Sequence, residues 1–164
     1  IDLALREGRG DLPGMIVKPL AASRILLCAS PEYLQRCGTP QVANDLLSHQ
    51  ALLYEHVALD RRWRLSLNEQ SFILQPQGRL SSDNYDLLLA ACLAGQGVLD
   101  CPHWSVQPLL ASGRLVQLLP DYQIAPDAFG PLLLAVYPSH RRATRKVQAF
   151  IEFIEAYLAA RQLA

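Results

Sequence analysis

A helix that stops on two closely spaced glycines and feeds straight into a short apolar strand constrains this chain most. Residues 81 to 102 read SSDNYDLLLAACLAGQGVLDCP. Leu87, Leu88, Ala91 and Ala94 recur at helical spacing, Ser82 or Asp83 stands where a cap belongs, and Gly95 and Gly97 supply the stop. Val98 to Pro102 then reads as a strand, so the segment is a unit of an α/β core. The first-turn N–H groups of such a helix lack intrahelical partners and carry partial positive charge, which suits a polar group of a small molecule. Most capped helices bind nothing, and this segment alone establishes only the architecture.

The rest of the chain extends the pattern. Ile1 to Leu5 alternates as a strand, followed by a loop with Gly8, Gly10, Pro13 and Gly14. Ile25 to Ala29 is continuously apolar, as in a strand buried on both faces. Ser30 caps and Pro31 opens a helix to about Arg36. After the Gly38-Thr39-Pro40 break, Asn44 or Asp45 starts a short helical turn with His49 near its end, where the dipole favours an imidazolium. Ala51 to Tyr54, Trp63 to Leu67 and Phe72 to Leu74 read as three strands suited to an antiparallel addition. Val106 to Ala111 reads as a helix, Arg114 to Leu119 as a strand, and Leu132 to Tyr137 as another buried strand. Thr144 caps a terminal helix with Val147, Phe150, Ile151, Ile154 and Leu158 on one stripe. Arg141, Arg142, Arg145 and Lys146 at its start read as a solvated face.

Composition removes several function classes. Fifteen basic residues balance fifteen acidic ones, so the broad positive field that drives binding to phosphate backbones is missing. No apolar run reaches the roughly 20 residues of a membrane span, and the chain reads as cytosolic. Cys28, Cys37, Cys92 and Cys101 form no CxxC pair and read as free thiols. Cys101 and His103 would supply only two metal ligands where a structural site needs about four, so neither metal nor cofactor is expected. There is no GxSxG elbow, HExxH or glycine-rich phosphate loop. An enzyme is not expected.

The ordered run of local marks resembles the second half of the effector-binding domain of LysR-type transcriptional regulators. The marks are Asp2 to Arg6 with Gly8, Leu26 to Leu34 (LLCASPEYL), Gly38-Thr39-Pro40, Asp45-Leu46 with His49, and Trp63. They continue through the Ser81 to Gly97 helix, Pro102, Gly113 to Val116, Leu119 to Tyr122, Ala135 to Ser139, and Lys146-Val147 with Ala149-Phe150. The resemblance implies an α/β, periplasmic-binding-protein-like (type 2) fold of two lobes with a small effector between them. On that expectation residues 23–131 form one nearly complete lobe, and 1–22 with 132–164 form part of the other. With a strand pattern at its first residue the chain reads as a fragment, and the resemblance implies that a DNA-binding part precedes it and that the intact protein is a homo-oligomer. A transport-type solute-binding protein shares the fold and is the alternative.

Ligands of open α/β lobes gather beyond strand carboxyl ends and at helix N-termini. That rule, within the resemblance, selects Arg6, Ser82, Asp83, Asn84, Tyr85, Pro102, His103 and Trp104. Arg6, at the end of the first strand, can fork onto a carboxylate, with an ion pair to Glu7 or Asp11 as the competing reading. Ser82 and Asn84 offer hydroxyl and amide groups, and Tyr85 and Trp104 can wall the ligand. Asp83 and Asp86 already satisfy the helix dipole and disfavour a strongly anionic partner there.

Overall fold

The structure, a computed structural model, describes residues 2–8, 10, 12–55, 62–125, 130–139 and 144–160. The chain divides into two compact units, Ile1–Ser23 with Phe129–Ala164, and Arg24–Ala128.

In the first unit, β1 (Ala4–Gly8), β2 (Met15–Ala22) and β11 (Leu132–Pro138) form an antiparallel sheet in the order β1-β11-β2. β2 is an addition to the sequence reading. Its Pro19 argues against a strand, but among the described strands β2 pairs on one side only and carries a bulge there, since Leu133 faces Ala21 while Leu134 faces Pro19. A bulged, singly paired strand is where proline is tolerated. The terminal helix α4 (Arg145–Ala160) lays Val147, Ile151 and Leu158 on Leu20 and Ala135, with Ile154 partly buried beside them. Phe150, expected in that stripe, is instead exposed, at its flank. Arg145 and Lys146 are exposed, whereas Arg141 and Arg142 lie outside the described residues.

The second unit is built on a mixed sheet in the order β6-β5-β10-β3-β8-β4-β7, with β9 also paired to β3. Its strands are β3 (Ile25–Ala29), β4 (Gln50–Tyr54), β5 (Trp63–Leu67), β6 (Gln70–Leu74), β7 (Gln77–Ser82), β8 (Val98–Pro102), β9 (Val116–Leu118) and β10 (Gln123–Ile124). Every residue of β3 is buried, because its two faces enter two cores. Leu27 and Ala29 pack with Trp63, Leu65, Val98 and Leu118, and Leu26 and Cys28 pack with Leu88, Cys92, Leu99 and Val106. β5 and β6 form the expected antiparallel hairpin, but β4 departs from that expectation: it runs parallel to both β7 and β8.

Helix α1 (Pro31–Cys37) starts as its residues dictate. Ser30 Oγ accepts the Tyr33 N–H at 3.3 Å and Pro31 fills the first turn. We expect Ser30→Ala to destabilise the second unit by about 1 kcal/mol; an unchanged urea midpoint would show that the cap contributes nothing. The next turn is a 3-10 helix over Ala43–Ser48, and the Asp45 carboxylate accepts the N–H groups of Gln41 and Val42 at 2.8 and 3.0 Å. His49 follows it, buried, with Nδ1 3.1 Å from the Tyr33 hydroxyl. Burial holds its pKa below the ordinary imidazole value against the opposing pull of Asp45. Desolvation of the ring thus outweighs the helix-end dipole that favours an imidazolium. All four cysteines are free thiols, Cys37 exposed and the others buried.

Candidate functional site

Because β7, β4 and β8 are mutually parallel neighbours, their carboxyl ends, Ser82, Tyr54 and Pro102, reach one edge of the second unit together. The two flanking helices also begin there. Helix α2 spans Tyr85–Leu93 and α3 spans His103–Ala111. This is the strand-end geometry at which α/β proteins receive ligands.

The helix cap lies one residue beyond Asp83 and two beyond Ser82, the two positions that the sequence offered. Ser82 is the last residue of β7 and Asp83 lies between strand and helix, so neither caps. Asn84 does, its Oδ1 accepting the Leu87 N–H at 3.2 Å. Ser82 Oγ instead accepts the Asn84 N–H at 3.0 Å and shapes the turn. The cause is the strand itself: pairing of Leu80, Ser81 and Ser82 with β4 holds these residues extended, so the helix starts after them.

The remaining candidates fall into distinct settings. The Tyr85 hydroxyl lies 2.6 Å from Ser105 Oγ, which donates to the Pro102 carbonyl at 2.7 Å. Tyr85 therefore ties α2 to α3, and its ring packs on the Leu88–Leu99 core. The His103 N–H donates to the Arg24 carbonyl at 2.8 Å. Its imidazole is held below the ordinary pKa, first by burial and then by the Arg24 charge. Trp104 is 42% exposed at the same edge. Arg6 belongs to the first unit and lies inside β1, opposite Leu134, rather than ending it. Its Nε donates to the Glu7 carbonyl at 3.4 Å, while the Glu7 carboxylate accepts the Ser23 hydroxyl. Asp11, the other expected ion-pair partner, lies outside the described residues.

Three charged groups escaped sequence reasoning. Glu55 follows β4; its N–H donates to the Ser82 carbonyl at 2.8 Å and its Oε1 accepts the Ser81 hydroxyl at 2.9 Å. Arg24 precedes β3, opposite the end of β8, and brings a cation to the edge. Asp100 lies within β8, two residues before Pro102, and burial pushes its carboxyl up to about 6, against a hydrogen bond from Trp63. A lone acid inside the apolar run Val98 to Pro102 was its signal in sequence, since an unpaired buried carboxylate is costly. Glu55 and Arg24 had no such signal, because only strand pairing brings them to the edge. Among the described residues no group of three or more His, Cys, Asp or Glu side chains is placed to hold a metal ion, and no helix is long and apolar enough to cross a membrane.

The chain thus combines a unit built on an antiparallel sheet with an α/β unit whose parallel strand ends and helix starts gather at one polar edge. Residues 1–159 match the sequence profile of the LysR substrate binding domain, and the chain belongs to that family. It is 33% identical over 160 residues to the HTH-type transcriptional regulator DmlR of Escherichia coli K12, covering 97% of this chain and 50% of that protein. Among solved structures it is similar to the regulatory domain of CrgA, a LysR-type regulator from Neisseria meningitidis, with a TM-score of 0.83 and 29% identity over 96% of this chain and 76% of that one. It is also similar to the regulatory domain of AphB from Vibrio vulnificus, with a TM-score of 0.73 and 27% identity over 95% of this chain and 75% of that one. The fold is therefore the type 2 periplasmic-binding-protein-like fold of LysR effector-binding domains. The chain spans about half the length of the curated relatives it matches.

Proposed function

We propose that this chain is the effector-sensing part of a bacterial transcription regulator, receiving a small polar organic molecule at the strand-end edge of the second unit. The convergence of three parallel strand ends with the starts of α2 and α3 carries the reading. Ser82, Asp83 and Asn84 present hydroxyl, carboxylate and amide groups there, Pro102, His103 and Trp104 line the start of α3, and Arg24 and Glu55 add one charge of each sign. Tyr85 positions the helices. Arg6, within β1 of the first unit, is a proposed contact for a carboxylate group of the ligand. Occupancy would change the geometry of a DNA-bound oligomer, with the DNA contacts made by parts of the regulator outside the matched region. No catalytic step is needed. The family membership and the regulators among the relatives favour this over a transport-type solute-binding protein.

A thermal-shift screen of polar carboxylates against the purified chain, followed by calorimetric titration of the hits, tests the site. Arg6→Ala should weaken a carboxylate hit by about 1.5–3 kcal/mol through loss of a charge-assisted bond. Ser82→Ala and Asn84→Ala should weaken it as well. Ser30→Ala should lower stability and leave affinity unchanged. Hits that bind all three site variants as tightly as the parent chain would place the effector elsewhere.

A further inference from the structure

The amino-terminal ends of the same parallel strands hold a second feature, at the opposite edge of the sheet. β4 opens between two close backbone approaches. A Cβ at Gly78 would stand 1.7 Å from the Ala51 carbonyl oxygen, and one at Gly97 would stand 2.4 Å from that of Gln50. β7 also carries one extra residue here, because Gln50 pairs with Gln77 whereas Leu52 pairs with Leu80. Bulges are rare in parallel pairs and re-aim side chains. The residue beside this one is Arg79, and it lines a cavity of about 530 Å³ with Tyr33, Arg36, Gln50, Leu80 and Gln96. That volume suits a small molecule.

The lining sets the chemistry. Arg36 is held in place: its Nη2 donates to the Gly95 carbonyl at 2.5 Å and its Cζ lies 5.8 Å from the centre of the Tyr33 ring. Its one acidic neighbour among the described ion pairs, Glu32, is 4.0 Å away with a side chain 75% exposed, and such solvated pairs compensate charge weakly. Two guanidinium groups therefore line a cavity to which, among the described residues, no carboxylate contributes. Gln50 and Gln96 bring amide groups, and Leu52 and Leu80 bring apolar surface. Guanidinium is the side chain best matched to a carboxylate.

We propose that this cavity is a second small-molecule site, independent of the proposed effector edge, that takes a small organic carboxylate. The head group sits on Arg36 and Arg79 and a short hydrocarbon body on Leu52 and Leu80. Calorimetric titration of the chain at low ionic strength, with glutarate as the organic probe and inorganic phosphate as a probe of charge alone, tests it. Glutarate should saturate one site, and phosphate should bind more weakly. Arg79→Gln, an exposed strand position, should weaken glutarate roughly tenfold, Arg79→Lys should weaken it less, and Ser82→Ala and Asn84→Ala should leave it unchanged. Circular dichroism should show each variant folded like the parent. Failure of glutarate to saturate, equal binding by Arg79→Gln and Arg36→Gln, or phosphate binding as tightly as glutarate would overturn the proposal. Loss of glutarate binding in Ser82→Ala alone would also overturn it, by assigning the probe to the effector edge.

Discussion

A Gly78→Ala chain is expected to lose about 3 kcal/mol of stability in its second unit, the upper end of the usual cost of overpacking. The added methyl would lie 1.7 Å from the Ala51 carbonyl oxygen, and backbone cannot swing aside as a long side chain can. Either β7 withdraws from β4 and loses ladder hydrogen bonds, or both strands distort. Both tryptophans of the chain, Trp63 and Trp104, belong to this unit, so urea unfolding followed by their fluorescence reports on it directly. Gln77→Ala, one residue earlier and exposed, is the control and should stay within about 0.5 kcal/mol of the parent. An unchanged midpoint for Gly78→Ala would mean that β7 does not approach β4 so closely.

Asp100→Asn is expected to stabilise the second unit at pH 8 by about 2 kcal/mol and to do little at pH 4. Burial raises the folded-state pKa of this carboxyl to about 6, above its value of about 3.9 in an unfolded chain. The folded chain therefore holds the proton more tightly. Its contribution is fully present below pH 4 and is lost as pH rises through about 6, where a carboxylate must be buried beside Trp63. An amide keeps an acceptor for the indole N–H without the charge. His49 and His103 have lowered pKa values and act in the opposite sense, favouring the folded state above the unfolded imidazole pKa and losing that contribution as pH falls. Both are common to the parent chain and the variant, so the difference between their melting profiles isolates Asp100. Parallel profiles from pH 4 to 8 would show that Asp100 is solvated.

How far the sequence carried depended on the range of the forces at each position. Ser30-Pro31 specified the start of α1, and the apolar run Ile25 to Ala29 specified a doubly buried strand, because capping and hydrophobic burial are written within a few residues. The order of short marks sufficed to place the chain among LysR effector-binding domains. β2 was hidden by Pro19, whose cost is removed only by a bulge against β11. The start of α2 was placed one or two residues early, since extended pairing with β4 runs through Ser82 and overrides its local capping preference. Phe150 read as core because periodicity defines a stripe but not how wide a sheet lies beneath it.

The sequence by itself determined the four α-helices, the strands other than β2, β7 and β10, which thiols belong inside, and the family. The tertiary structure decided that β4 runs parallel to both of its neighbours, and the edges proposed as sites in the second unit rest on that direction. It brings Glu55 to the edge with Ser82 and Pro102, and it sets Arg36 and Arg79 around a cavity at the other edge. Strand direction and bulges are settled by pairing between residues far apart in the chain. Local propensity holds no information about a partner dozens of residues away.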